Sequence, residues 1–191
     1  DCGNDAMRNI HFFLDFDGTI STGDVVDLIL EKFADPRWKE IEKDWVEGKI
    51  GSRECLRQQM ALVKASTEEL HALVSHVGLD PQFLNFLKKA EDLGAMVTIV
   101  SDGFDILIEQ VLRQNLKGEP GVVKGVPIFS NHLKDIGAGF EAIFPTEECA
   151  HGCANCKEAV VRKLSSVDDF RIFVGDGWSD RGRTAATESA A

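Results

Sequence analysis

Two aspartates, Asp15 and Asp17, stand directly after an apolar run and are followed by Gly18. A turn that begins between them lets both carboxylates reach one site, and glycine lets a ligand approach the backbone closely. Backbone amides in such a turn form a concave surface that binds anions. One carboxylate can then act as a nucleophile, while the other moves the proton of the leaving group. The segment therefore indicates phosphoryl transfer.

The same pattern, an apolar run followed by small or acidic residues, occurs at two further places: 95–100 before Ser101, Asp102 and Gly103, and 170–174 before Asp176 and Asp180. Carboxylates gathered at one site repel one another unless a cation is bound there. Oxygen ligands of this kind suit Mg²⁺. We therefore expect Asp176, with Asp180, to hold Mg²⁺ beside Asp15 and Asp17.

These residues can divide the work of a covalent phosphoryl transfer. Asp15 is expected to attack phosphorus and form an aspartyl-phosphate. Asp17 is expected to protonate the leaving oxygen and then to take a proton from the hydrolytic water. Ser101 and Lys157 are expected to hold the non-bridging oxygens, with the lysine supplying positive charge.

The elements that must position these residues are three strand-length apolar runs, at 10–16, 95–100 and 170–174. Segments with helical periodicity separate them, which predicts an α/β fold with a doubly wound parallel sheet. The carboxyl ends of parallel strands meet at one edge of a sheet, where ligands bind. The aspartates and Ser101 are therefore expected to converge at that edge.

The chain between the first two strands is much longer than one crossover needs. We interpret 21–76 as an inserted helical cap, in which Ser66 and Glu69 form a capping box. The α/β core would comprise 7–20 and 77–180, with 1–6 and 181–191 as flexible or atypical tails. Within the core, helices are predicted at 81–94 (after an N-cap at Asp80), 104–116 and 157–164, and a strand or hairpin at 127–146.

The chain has 191 residues and a formal net charge of -11. This acidity argues against nucleic acid and anionic membranes as partners, because both would repel it. No apolar run reaches the roughly 18 residues of a membrane span. The number of cysteines, five, is odd, which argues against a secreted protein built on disulfides. We expect a cytoplasmic monomer or homodimer that acts on a small phosphate ester.

Four segments, in order, resemble the signature motifs of the haloacid dehalogenase superfamily: DFDGT at 15–19, VTIVSDG at 97–103, CK at 156–157 and GDGWSD at 175–180. The insertion after the first strand resembles that superfamily's cap. Within the superfamily, the chain is most similar to phosphoserine-phosphatase-like enzymes and to phosphatases of methionine salvage. GKIGSRECLRQQM at 48–60 resembles the latter.

The resemblance implies that Asp15, Asp176 and the backbone carbonyl of Asp17 bind Mg²⁺, with Asp180 as a direct or indirect contributor. It also implies phosphate-binding roles for the motif residues Gly18, Ser101, Asp102, Gly103 and Lys157. The acid Asp17 favours a phosphate ester over a halide as substrate. Hydrolysis of a phosphomonoester is therefore expected, with a catalytically impaired protein that binds phosphate and metal as the alternative.

Two substrate classes stay open. Asp24 stands nine positions after Asp15, where an acidic residue receives the substrate ammonium in phosphoserine phosphatases. On the cap, Arg53 or Arg57 can receive a substrate carboxylate through a bidentate guanidinium. The resemblance of the cap to the salvage enzymes instead implies a phosphorylated compound derived from a keto sugar.

Three cysteines precede Lys157, at the spacing Cys149-x₃-Cys153-x₂-Cys156, with His151 between them. This set offers enough ligands for zinc. Similar cysteines precede the lysine in related phosphatases, so packing or shaping of the loop is the plainer expectation.

Overall fold

The structure is a computed structural model that describes residues 9–117 and 125–175. This part of the chain contains five strands: β1 (Ile10–Leu14), β2 (Met96–Phe104), β3 (Ile128–Asp135), β4 (Phe140–Ile143) and β5 (Phe170–Val174). It also contains seven helices: α1 (Val25–Phe33), α2 (Trp38–Val46), α3 (Ser52–Ala61), α4 (Thr67–Val74), α5 (Phe83–Asp92), α6 (Asp105–Asn115) and α7 (Lys157–Leu164).

The strands form one sheet in the order β4-β3-β2-β1-β5. β1 pairs in parallel with β2 and β5, β2 pairs in parallel with β3, and only the β3–β4 hairpin is antiparallel. The predicted α/β fold is confirmed. The stretch 127–146 contains β3 and β4, which form a hairpin. Because Phe13 and Leu14 of β1 and Ile99 and Val100 of β2 are all buried, the two strands that carry the first two motifs lie in the core.

The local signals at the helix ends explain where the helices begin and end. Ser66 and Glu69 form the predicted capping box, with each side chain accepting from the other residue's backbone N–H. Gly94, with φ +63°, follows the last turn of α5. That helix begins at Phe83 rather than at position 81. The carboxylate of Asp80 instead accepts from the N–H of Gln82, which is the N-cap residue.

The insertion between β1 and β2 is helical, and its two ends meet at the core. Ser21 and Leu79 form an antiparallel bridge, and the N–H of Asp80 donates to the carbonyl of Ile20 over 2.8 Å. Helices α1 to α4 follow one another within this insertion. Helix α3 contacts β4 and helix α4 contacts α6, so the cap is attached to the core at several points.

Within the described residues, β5 lies at the edge of the sheet, and its Phe170, Ile172, Phe173 and Val174 are partly exposed. The predicted tails, 1–6 and 181–191, lie outside the described residues. None of the described helices has both the length and the apolar character that crossing a membrane requires.

Candidate active site

The first motif lies where β1 ends, at the carboxyl edge of the sheet. The N–H of Asp15 donates to the carbonyl of Val174 on β5 over 2.8 Å, which holds the residue in line with the strand. The N–H of Phe16 donates to Asp15 Oδ1 over 2.8 Å. One carboxylate oxygen of Asp15 is therefore fixed by the backbone, and Oδ2 is left to face other groups.

Asp15 Oδ2 accepts a hydrogen bond from Lys157 Nζ over 2.6 Å, although 142 positions separate the two residues. Their side chains are 9% and 1% exposed, respectively. A buried charge without a partner costs several kcal/mol, so each of these groups depends on the other. Lys157 is the first residue of α7, and its Nζ lies 5.5 Å from the ring centroid of Phe173. The pair therefore places a carboxylate and an ammonium group in contact at one point of the sheet edge.

The carboxyl of Asp17 lies against the start of α1. Its Oδ1 accepts from the N–H of Val25 over 2.8 Å. This N–H is one of the amides at the N-terminus of the helix that have no partner within the helix. Burial, together with the negative charges of Asp24 and Asp15, raises the pKa of Asp17 well above the usual range of a carboxyl. The Val25 amide and the charge of Lys157 oppose this rise. A carboxyl held in its neutral form can donate a proton.

The second motif forms an irregularity in β2. The pairing with β3 shifts between Val100 and Phe104, so Ser101, Asp102 and Gly103 leave the regular ladder. Ser101 Oγ accepts from the N–H of Gly103 over 2.9 Å. A Cβ atom at position 103 would lie 3.0 Å from Asp17 Oδ2 and 3.1 Å from Ser101 Oγ. Glycine is therefore what lets the two motifs approach each other.

Two buried asparagines support this irregular segment, and sequence reasoning missed both. Asn155 Nδ2 donates to the carbonyls of Ser101 and Phe129, both over 2.9 Å. Asn131 Nδ2 donates to the carbonyl of Asp102 over 2.7 Å. These amides replace ladder hydrogen bonds that the irregularity disrupts. For Asn155, the one feature of the sequence that pointed to the site was its position two residues before Lys157. No pattern in the sequence pointed to Asn131.

A cleft of about 570 Å³ opens over these groups between the sheet edge and the cap. Asp15, Asp17, Asp102, Gly103 and Lys157 line its floor. The cap supplies a wall of acidic, amide and apolar side chains: Asp24, Asp27, Glu42, Gln59, Val26, Trp45, Cys55 and Leu56. Among the described residues that line the cleft, Lys157 is the one with a cationic side chain.

The cap wall is acidic, and its charges act on one another. Burial, with the charges of Asp24, Glu42 and Glu31, raises the pKa of Asp27 to about 6. Gln59 is buried and donates from Nε2 to Glu42 Oε2 over 2.7 Å. Such a wall disfavours a second anionic group on a ligand, because that group would meet negative charge away from Lys157.

The cap residues predicted to contact the substrate occupy different places. Asp24 lines the cleft, and its carboxylate also accepts from the N–H of Asp27 as the N-cap of α1. Arg53 does not line this cleft: its guanidinium donates to the carbonyls of Thr146 and Cys153, over 2.7 and 3.2 Å.

Arg57, two tryptophans of the cap and the predicted metal ligands differ in where they lie. Arg57 pairs with Glu54 on the exposed face of α3 and does not line the cleft. Trp38 is buried in the core, whereas Trp45 lines the cleft. The predicted metal ligands Asp176 and Asp180 lie outside the described residues.

Solved structures of similar fold include phosphoserine phosphatases. A phospho-aspartyl intermediate analogue of phosphoserine phosphatase superposes with a TM-score of 0.67 at 21% identity, covering 91% of this chain and 81% of that one. A substrate-bound phosphoserine phosphatase superposes with a TM-score of 0.66 at 21% identity, covering 91% of this chain and 80% of that one. At this identity the likeness establishes the fold.

The sequence profile of the haloacid dehalogenase-like hydrolases matches residues 12–182, and the chain belongs to this family. Curated relatives are 2-hydroxy-3-keto-5-methylthiopentenyl-1-phosphate phosphatases. The protein from Brevibacillus brevis is 28% identical over 91% of this chain and 78% of its own length. The protein from Bacillus mycoides is 29% identical over 90% of this chain and 78% of its own length. The family and these relatives identify the chain as a phosphatase, and the resemblance seen in the four motifs is confirmed.

Proposed function

We propose that the chain hydrolyses a small phosphomonoester in a Mg²⁺-dependent reaction that passes through an aspartyl-phosphate on Asp15. The observation that carries this proposal is the buried contact of 2.6 Å between Lys157 Nζ and Asp15 Oδ2 at the end of β1. A carboxylate held in the cleft with a lysine beside it can attack an anionic phosphate, because the lysine offsets the charge that develops.

In the proposed reaction, each half is assigned to described side chains. Asp15 Oδ2 forms a bond to phosphorus while the ester P–O bond breaks, and the carboxyl of Asp17 donates its proton to the leaving oxygen. Water then attacks the phosphorus, Asp17 takes the proton of that water, and the bond to Asp15 breaks to release inorganic phosphate. Lys157 and Ser101 hold the non-bridging oxygens throughout.

The donor chemistry of the floor fits Mg²⁺. Asp15 places a carboxylate oxygen in the cleft, the first motif implies the backbone carbonyl of Asp17 as a second ligand, and oxygen atoms are the ligands that Mg²⁺ prefers. By the fourth motif, Asp176 and Asp180 complete the set. Bound Mg²⁺ would offset the repulsion between the Asp15 carboxylate and the incoming phosphate.

The cap wall favours a substrate whose only anionic group is the phosphate. Val26, Trp45 and Leu56 offer apolar contact, and Asp24 and Gln59 offer polar groups for hydroxyls. The compound named for the curated relatives is a hydroxy-keto chain with a methylthio end, which matches this mixture. Phosphoserine also carries a carboxylate, and the described cap residues that line the cleft include no cation to receive it. We therefore assign the substrate to the class of phosphorylated hydroxy-keto or enol compounds.

The substrate assignment is tested by steady-state kinetics with Mg²⁺ on three esters. These are the 2-hydroxy-3-keto-5-methylthiopentenyl-1-phosphate named for the curated relatives (the enol phosphate), phosphoserine and 4-nitrophenyl phosphate. We expect kcat/KM for the enol phosphate to exceed that for phosphoserine by at least about 100-fold, because the phosphoserine carboxylate would stay unpaired. Chelation of Mg²⁺ should abolish turnover of every ester, and added Mg²⁺ should restore it. A preference for phosphoserine would contradict the substrate class. Failure to hydrolyse any ester would favour the binding protein without activity.

The acid role of Asp17 predicts a dependence on the leaving group. In Asp17→Asn, hydrolysis of an alkyl phosphate should fall about 10²- to 10⁴-fold, because its leaving oxygen needs a proton. Nitrophenolate leaves without one, so rapid mixing should still show a burst of about one nitrophenolate per active site. Turnover should then stall, since the same side chain activates the hydrolytic water.

Intact mass spectrometry of the stalled Asp17→Asn protein should detect a phosphorylated chain. Equal losses for the alkyl and the nitrophenyl ester in the burst phase would remove Asp17 as the acid. The unmutated protein under the same mixing conditions is the reference for the size of the burst.

A further inference from the structure

The three cysteines before Lys157 come together in space. The Sγ atoms of Cys149, Cys153 and Cys156 all lie within 4.8 Å of one another. In a tetrahedral zinc site with Zn–S bonds near 2.3 Å, neighbouring sulfurs lie about 3.8 Å apart. The observed spacing is within a small side-chain adjustment of that arrangement.

The backbone after Cys149 forms a tight turn. The N–H of Gly152 donates to the carbonyl of Cys149 over 2.9 Å, and Gly152 takes a φ of +61°. This turn needs glycine at that position, since other residues adopt such a φ only at a cost. The turn brings Cys153 back beside Cys149, so that their sulfurs can share one ion, which cysteine binds as the thiolate.

Packing alone does not account for this geometry. Cys149 and Cys153 are only partly buried, and they line a second cleft of about 680 Å³ beside the first. Cys55, by comparison, is buried in the cap, where burial and the charge of Glu42 raise the pKa of its thiol to about 12. The cluster faces an opening through which an ion can enter, whereas Cys55 behaves as a core residue.

We propose that Cys149, Cys153 and Cys156 form a zinc site, separate from the carboxylate floor of the active site. Three sulfur ligands select a soft or borderline cation such as Zn²⁺ over Mg²⁺. The His151 side chain is not among the ligand groups within 4.8 Å. The three thiolates therefore supply three of four positions, and solvent in the second cleft supplies the fourth. Binding displaces the thiol protons.

The loop that carries the cluster, the cysteine loop (144–156), runs from the end of β4 to Lys157 and contacts the cap on its way. Gly51, at the start of α3, and Gly152 approach so closely that a Cβ at position 51 would lie 2.4 Å from the Gly152 carbonyl oxygen. Ser52 Oγ accepts from the N–H of Ala154 over 2.8 Å. The guanidinium of Arg53 also donates to two carbonyls of this loop.

Zinc at the cluster would therefore hold the cap and the start of α7 in a fixed relation. The cysteines position other groups and do not touch the phosphate.

The test is the metal content of the full chain, purified with a phosphine reductant and without chelator. Elemental analysis should find about one zinc per chain, and Cys149→Ser and Cys153→Ser should each weaken zinc binding at least about tenfold. Replacement of zinc by Co²⁺ should give thiolate-to-cobalt charge-transfer absorption, which both variants lose. Added Zn²⁺, but not Mg²⁺, should protect the three thiols from alkylation as read by peptide mass spectrometry.

Two variants control for the other places where zinc can bind. Cys55→Ser removes a cysteine outside the cluster, and Asp15→Asn removes a carboxylate from the active-site floor. Both should keep the zinc and the cobalt absorption. Circular dichroism of each variant separates a lost ligand from a lost fold, and Cys149→Ser, in a partly exposed turn, is the milder change.

Several outcomes would overturn the proposal. The first is wild-type protein that is folded and reduced yet takes up no Zn²⁺ at micromolar concentration. The second is a loss of zinc in Asp15→Asn while Cys149→Ser and Cys153→Ser keep it. The third is stoichiometric copper or iron in the purified protein in place of zinc.

Discussion

Asp15→Asn is expected to lower kcat for every phosphate ester by at least about 10⁴-fold, as the loss of a nucleophile does in other covalent hydrolases. Asparagine has the shape of aspartate, and its amide oxygen can still accept from the N–H of Phe16. It cannot form the acyl-phosphate, so the covalent step is lost while the cleft remains. The measurement is the initial rate with 4-nitrophenyl phosphate in Mg²⁺ buffer, with intact mass to look for a phosphorylated chain.

The matched control is Asp92→Asn, which makes the same chemical change at an exposed position at the end of α5. This variant should keep the wild-type rate. If Asp15→Asn retained a tenth of the activity, Asp15 would not be the nucleophile, and the covalent mechanism proposed above would have to be abandoned.

Lys157→Met is expected to have two large effects, because this side chain is both buried and paired. Activity should fall at least about 10²- to 10³-fold, since the charge that develops on phosphate loses its donor. In Mg²⁺-free buffer at neutral pH the free energy of unfolding should fall by about 3–5 kcal/mol, since the buried carboxylate of Asp15 loses the positive charge that faces it at 2.6 Å. Denaturant unfolding measures the second effect, and methionine preserves most of the buried volume.

A double-mutant cycle separates the ion pair from simple loss of packing. Removing Asp15 and Lys157 together should cost much less stability than the sum of the single changes, because no unpaired charge remains. Lys163→Met, exposed in the last turn of the same helix, is the control for a lost lysine and should change neither quantity appreciably. Additive effects of the two single substitutions would show that the contact of 2.6 Å contributes little to folding.

The approach of the first two motifs to one edge of the sheet was predictable, because each motif carries a local signal. Asp15, Asp17 and Ser101 follow strand-length apolar runs, and parallel strands deliver their carboxyl ends to one edge. The capping box at Ser66 and the glycine at position 94 marked helix ends for equally local reasons. None of these predictions required knowledge of which cap residue meets which core residue.

The contacts of the cap side chains were less predictable. The position of a long side chain on a helix does not determine which groups its end reaches. Arg53 has a residue type suited to a substrate carboxylate, yet its guanidinium donates to loop carbonyls instead. Trp38 and Trp45 have the same type and lie seven residues apart, but one packs in the core and the other lines the cleft. Such differences depend on the packing of the cap on the hairpin, which sequence periodicity does not encode.

By itself, the sequence determined the class of chemistry, the parallel sheet and the order of the motifs along the chain, because these follow from short-range patterns of residue type. Only the tertiary structure decided that Lys157 meets Asp15 across 142 positions, and that two asparagines hold the irregular end of β2. It also decided that three thiols gather beside the cap rather than disperse. The physical reason is that these contacts join segments distant in sequence, and their geometry is set by how whole elements pack against one another.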